Sequence, residues 1–147
     1  MKMKYYFAYG MNTNLKEMAM RCSGAELVGQ VILTKHKFVF RSHADIEPCE
    51  DSDVAGVLWR ITPECEQSLD SLEGYPYYYE KKEVVVDTFD GEEISGMNHF
   101  IAMTYYMTKP VTESLPSAGY YNCLVEGYSD NNISIFQIKQ AIDHVPS

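Results

Sequence analysis

Y-F-A-Y-G-M-N-T-N-L, Tyr6 to Leu15, is a strand that runs into a glycine turn and then into a helix. Tyr6, Phe7 and Tyr9 suit a pleated, half-buried surface, and Gly10 opens backbone angles closed to other residues. Asn14 is placed to cap a helix beginning at Leu15. A strand, a turn and a helix start in this order leave free amide groups pointing at one spot, where the helix dipole adds positive potential. A carboxylate or phosphate can dock there without a basic side chain. The same ten residues also fit a purely structural strand with a capped helix, so this stretch alone leaves both readings open.

Working outward, Leu15, Met18, Ala19 and Cys22 recur at helical spacing and predict a short amphipathic helix over 15–22. Ala25 to Ser42 is rich in strand formers and reads as a hairpin turning at Lys35 to Lys37. His43 to Asp53 is polar, acidic and interrupted by proline, which predicts a surface loop before a strand over Val54 to Ile61. Thr62 then offers an N-cap, Pro63 the first helical position, and Gly74 a C-terminal stop, so a second helix runs to Glu73, with Pro76 guarding against its continuation. Tyr77 to Phe89 and Ile101 to Met107 predict two further strands, with Asp90 and Gly91 turning the chain after the first. A loop carrying Pro110 and Pro116 leads to a helix over Ser117 to Glu126 ended by Gly127, and Ser134 to His144 forms the last helix. Strands outnumber helices and the two are not interleaved one for one. The expectation is therefore an α+β fold, a small mixed or antiparallel β-barrel with three to four short helices.

At 147 residues the chain has the size of a single domain spanning 1–147, and no low-complexity block interrupts it. Twenty-one acidic against twelve basic residues give a net charge of −9. A surface of that sign repels a phosphate backbone, and the lysines and arginines are scattered, so nucleic acid is excluded as a partner. The charged start followed by a short tyrosine-rich run does not make a signal peptide, and no membrane span appears. Cys22, Cys49, Cys65 and Cys123 show no C-x-x-C spacing, so the expectation is reduced thiols in a cytoplasmic protein, with neither a zinc site nor a redox pair. Nothing in the sequence sets the oligomeric state.

The second informative stretch is L-D-S-L-E-G-Y-P, Leu69 to Pro76. Leu69, Leu72 and Glu73 stand at i, i+3 and i+4 and share one helix face, so an acid occupies a place where the pattern asks for a core residue. Burial favours the neutral carboxyl and raises its pKa, which suits an acid/base working near neutral pH. An acid that merely reaches solvent at the edge of the core is the bland alternative.

Y-F-A-Y-G with an asparagine two residues on, then L-D-S-L-E-G-Y, then P-S-A-G-Y at Pro116 to Tyr120 with Gly127 seven residues beyond, together resemble the gamma-glutamylcyclotransferase-like (AIG2-like) family. The resemblance spans most of the chain. It implies a small β-barrel and an enzyme that cyclises a γ-glutamyl group to 5-oxoproline, releasing an amine, with no cofactor. Carried onto this sequence, it implies a substrate loop at Tyr9, Gly10, Met11 and Asn12, an acid/base at Glu73, and a substrate-positioning tyrosine at Tyr120. The partner implied is a small γ-glutamyl compound.

One departure stands out: the family's Y-G-S-N-L is Y-G-M-N-T here, Met11 replacing serine and Thr13 replacing leucine. Backbone amides survive that change while a hydroxyl is lost. The competing reading is thus a non-catalytic protein that keeps the fold and binds a small carboxylate, against which an awkwardly buried acid at Glu73 argues. Among the remaining residues, Cys123 and Trp59 read as core, His36, His43, His99 and His144 lack metal spacing, and Tyr75, Tyr77, Tyr78 and Tyr79 read as strand packing or as the wall of an apolar leaving-group pocket.

Overall fold

The computed structural model describes residues 2–109 and 112–146. Pro110, expected in a loop, lies outside them. In chain order the elements are β1 (Lys4–Ala8), a 3-10 turn (Met11–Thr13), α1 (Leu15–Arg21), β2 (Glu26–Arg41), β3 (His43–Ile61), α2 (Pro63–Glu73), β4 (Glu80–Thr88), β5 (His99–Tyr106), α3 (Ala118–Asp130) and α4 (Phe136–His144). The strands close into a barrel in the order β1-β3-β2-β4-β5. Every neighbouring pair is antiparallel except β1 and β5, which meet in parallel where Tyr6 lies opposite Met103. Closure removes the open edges that a sheet of this size would expose. The interior is filled by Phe7, Val31, Leu33, Val54, Leu58 and Val86, all buried.

The helix boundaries follow from local chemistry. Asn14 Oδ1 accepts from the amide of Glu17 at 3.1 Å and Thr62 Oγ1 from that of Cys65 at 3.1 Å, each satisfying one of the donors a helix start leaves unpaired. Gly74 ends α2 in the left-handed conformation, φ 68°, as its position predicts.

Several expectations are corrected. Ala25 to Ser42 is not a hairpin: β2 is one strand, Lys35 only interrupts its register with φ 58°, and the chain reverses at Ser42, φ 64°. His43 to Asp53 is no surface loop but the first half of β3, paired with β2 from Arg41 opposite His43 onward. Its less exposed acids, Asp45 and Glu47, have partners, while Glu50, Asp51 and Asp53 face solvent. Arg41 spans Asp45 and Glu47 at 2.6 Å each, and the amide of Met107 donates to Asp45 at 2.9 Å. The third helix does not stop at Gly127 but runs on to Asp130. Glycine is needed there for close approach, since a Cβ would lie 2.7 Å from the amide nitrogen of Asn14. The strand expected from Tyr77 begins only at Glu80, Ala19 of α1 is exposed, and α4 starts at Phe136 rather than Ser134.

The expectation of four reduced thiols is also corrected. Cys22 and Cys65 form a disulfide, with Cα atoms 5.1 Å apart, while Cys49 and Cys123 are free. The bond joins the end of α1 to the first turn of α2, two places brought together only by the packing of those helices. Among the described residues no helix is long and apolar enough to cross a membrane.

Candidate active site

The site is built first from the end of β1. After Tyr9 the chain enters the 3-10 turn, in which the amide of Thr13 donates to the carbonyl of Gly10 and that of Asn14 to the carbonyl of Met11, both at 3.0 Å. Among the described residues the amides of Met11 and Asn12, at the start of this turn, donate to no backbone carbonyl. Gly10 has φ −114°, so a left-handed backbone is not what the turn asks of it. The reason for glycine is space: a Cβ would meet Ala44 Cβ at 3.1 Å and the Tyr120 hydroxyl at 3.2 Å.

Neighbours from β3, from β5 and from α3 with its C-cap pin the turn. Trp59 Nε1 donates to the carbonyl of Asn12 at 2.9 Å, and Asn131 Nδ2 to that of Thr13 at 2.7 Å. The hydroxyl of Tyr128 donates to the carbonyl of Tyr9 at 2.7 Å, while the Tyr9 hydroxyl donates to Tyr105 O on the neighbouring strand β5 at 2.6 Å. Buried donors satisfied in this way hold a backbone in one geometry.

Glu73 is the last residue of α2 and is half-buried. Asn12, buried, donates through Nδ2 to Glu73 Oε1 at 3.3 Å and to the Tyr6 hydroxyl at 2.9 Å. The oxygen of the same carboxamide accepts from Arg21 Nη1 at 2.7 Å. Burial pushes the Glu73 carboxyl up from the ordinary 4.5 to about 7, against the opposing pull of the Arg21 charge and the Asn12 hydrogen bond. At neutral pH such a group gives and takes a proton with equal ease. Leu72, expected beside Glu73 on the core face, is instead 55% exposed and stands at the cavity mouth.

Tyr9, Gly10, Met11, Asn12, Glu73 and Tyr120 all line one cavity of about 220 Å³. Tyr120, in the first turn of α3, accepts from the amide of Ala44 at 3.0 Å, which leaves its own proton to donate. Ala44 O in turn accepts from Tyr79 at 2.6 Å. Of the four tyrosines considered as a wall, Tyr78 and Tyr79 line the cavity; Tyr75 lies under the Lys81 ammonium, 4.2 Å from its ring centroid, and Tyr77 points out, 79% exposed.

Three contributors went unseen in the sequence. His43 stacks edge-on with Tyr120, ring centroids 5.1 Å apart, and shares a 2.7 Å hydrogen bond with Tyr78; burial lowers its pKa, which keeps the ring neutral. Tyr6, read only as a strand residue, shares Asn12 with Glu73. Arg21, in the last turn of α1, carries no signal that separates a site residue from a cation favoured by the helix dipole. Among the described residues no three His, Cys, Asp or Glu side chains converge as a metal site.

Residues 6–123 match the family described as "Gamma-glutamyl cyclotransferase, AIG2-like". The chain belongs to that family. Among solved structures it is similar to a "Gamma-glutamyl cyclotransferase" at 23% identity and TM-score 0.82, over 99% of this chain and 89% of that one. An uncharacterised Homo sapiens protein, loc79017, gives the same figures. YkqA from Bacillus subtilis, at 22% identity and TM-score 0.79, aligns over 100% of this chain and 56% of its own. These likenesses concern the fold. No curated protein matches the chain. The barrel with its four helices is the fold of the family.

Proposed function

We propose that this protein is a gamma-glutamyl cyclotransferase that converts a γ-glutamyl amine or γ-glutamyl amino acid to 5-oxoproline and the free amine. The observation that carries the proposal is the half-buried Glu73 carboxyl, raised to about 7, beside the Gly10 turn in one small cavity. The amides of Met11 and Asn12 receive the α-carboxylate of the substrate, and the Tyr120 hydroxyl donates to its polar groups.

Held this way, the substrate folds so that its own α-nitrogen approaches the γ-carbonyl carbon. Glu73, as carboxylate, takes a proton from the α-ammonium. The freed nitrogen forms a bond to the γ-carbon, whose electron pair moves to the carbonyl oxygen. As the carbonyl re-forms, the bond from the γ-carbon to the leaving nitrogen breaks; Glu73 delivers its proton to that nitrogen, then takes the second proton of the ring nitrogen and passes it to the amine, which leaves as the ammonium ion. No electrons are transferred and no water is consumed. The nucleophile and electrophile belong to one molecule, so holding the reactive conformer supplies much of the rate. A neutral carboxyl is the cheaper form of a buried acid, and a pKa near 7 leaves half of the molecules able to start the cycle as carboxylate.

The test is a panel of γ-glutamyl compounds with varied leaving amines, read by 5-oxoproline formation. Turnover of at least one member, lost in Glu73→Gln, is expected. A second reading, a binder of small carboxylates without turnover, is favoured only by Met11 in place of the family serine. Binding without product from any member of the panel would support it, and Met11→Ser is then the first reversion to make.

A further inference from the structure

Asn12 is a carboxamide, and which end faces Glu73 decides what the acid experiences. An N–H favours the carboxylate, whereas a carbonyl oxygen repels it and favours the protonated acid. The Tyr6 hydroxyl on the same side does not decide the matter, because a hydroxyl both gives and accepts. The group that decides it is Arg21. A guanidinium has donors only, so the atom 2.7 Å from its Nη1 must be the carboxamide oxygen, and Nδ2 is thereby turned to Tyr6 and Glu73. Arg21 is itself held one helical turn back, where Nη2 lies 3.4 Å from Glu17 Oε1.

We infer that Arg21 is a positioning residue for Glu73: its guanidinium locks the Asn12 carboxamide in the orientation that presents a donor to the acid, and so keeps the carboxylate available to begin the reaction. The inference takes Glu73 as the proton carrier proposed above.

Every other charged or titratable group facing the acid is accounted for. From β1 and the residue just after it, burial holds the Tyr6 and Tyr9 hydroxyls well above their usual range, and the same holds for Tyr79 beyond α2, Tyr105 of β5 and Tyr120 of α3. Tyr78, nearer the mouth, is also raised. These phenols are neutral near pH 7. From β3, His43 is kept neutral by burial, and Asp45 is paired with Arg41. Glu17 of α1 is engaged by Arg21 itself. Among the described residues lining the cavity, Arg21 is therefore the one lysine or arginine available to favour the charged acid.

The experiment measures the Glu73 carboxyl directly, by the 13C shift of its side-chain carboxyl carbon through a pH titration, in the parent, Arg21→Met, Arg21→Gln and Arg21→Lys. Alongside it, the acidic limb of the kcat/KM profile is recorded on the most active γ-glutamyl compound. Arg21→Met is expected to move the carboxyl midpoint and the acidic limb upward by about one pH unit, the lower end of what one neighbouring charge does to a carboxylate. Activity returns toward the parent above that limb, because the acid is ionised there without help. Arg21→Lys, which offers donors only, restores part of the shift, and Arg21→Gln, whose own carboxamide can turn either end to Asn12, little of it. A folded Arg21→Met or Arg21→Gln protein with an unmoved midpoint overturns the inference. So does failure of all three variants to fold, which would make Arg21 a structural residue. A parent that shows the titration but turns over no γ-glutamyl compound sinks the proposed function and leaves the Arg21 relay standing.

Discussion

Asn12 Nδ2 lies 3.3 Å from Glu73 Oε1, across 61 residues of sequence. This contact joins the turn after β1 to the end of α2, and it makes the Glu73 acid and the amides of the Met11 turn parts of one cavity. The first prediction tests the acid. Losing a general acid/base costs on the order of 10² to 10⁴ in rate, so Glu73→Gln is expected to lower kcat by that factor. KM should stay nearly constant, because the turn proposed to receive the substrate carboxylate is untouched. Steady-state formation of 5-oxoproline measures both, and equal rates in parent and variant would remove Glu73 from the mechanism.

The same raised pKa has a consequence for stability. A carboxyl that binds its proton more tightly when folded contributes stability that is fully present below the unfolded value of 4.5 and is lost as pH rises through about 7. At about 1.4 kcal/mol per pKa unit the loss is on the order of 3 kcal/mol. Glu73→Gln is therefore expected to flatten the pH dependence between 4.5 and 8 and to be at least as stable as the parent at pH 7. Urea unfolding across that range is the measurement; a variant clearly weaker at pH 7 would mean that partners hold the carboxylate favourably.

Tyr120→Phe removes a hydroxyl that accepts from the Ala44 amide and is free to donate into the cavity. Its effect on turnover should be smaller than that of Glu73→Gln and should fall mainly on KM, since the hydroxyl is assigned to binding. A stability loss of about 1 kcal/mol is expected from the orphaned amide. A larger kcat loss than in Glu73→Gln would reverse the two assignments.

The Cys22–Cys65 bond closes a separation of 43 residues. Cross-links of this kind stabilise by roughly 2–4 kcal/mol, so the unfolding midpoint should drop when dithiothreitol is added. Thiol titration of the denatured, unreduced protein should find two free cysteines, Cys49 and Cys123. Four free thiols, or an unfolding curve indifferent to reductant, would contradict the bond.

Gly127→Ala places a methyl group against the Asn14 backbone at the start of α1. Overpacking at such a site costs typically 1–3 kcal/mol. The strain falls on Thr13 and Asn14, at the end of the turn proposed to bind substrate, so both the denaturation midpoint and turnover should fall. If Gly127→Ala leaves stability unchanged, the close approach of α3 to that turn is not what requires glycine.

What the sequence determined by itself was chiefly local. The caps at Asn14 and Thr62 and the stop at Gly74 depend on groups within about four residues, so their chemistry is present wherever those residues occur together. The barrel class was legible from the run of strand-forming segments, and the motifs around Gly10, Glu73 and Tyr120 pointed to the family. What only the tertiary structure decided depended on distant partners. His43 to Asp53 carries the acids and proline of a loop, yet it is a strand because it pairs with β2 and the Met107 amide, 62 residues from Asp45, satisfies that acid. Gly127 looked like a helix stop because a helix-ending glycine and a packing glycine are the same letter, and only the approach of Asn14 distinguishes them. Cys22 and Cys65 meet because α1 and α2 pack together, which no spacing of cysteines reveals. Arg21 looked like any cation at a helix end. Its relation to Glu73 passes through Asn12, and that chain of contacts exists only once β1, α1 and α2 converge on one cavity.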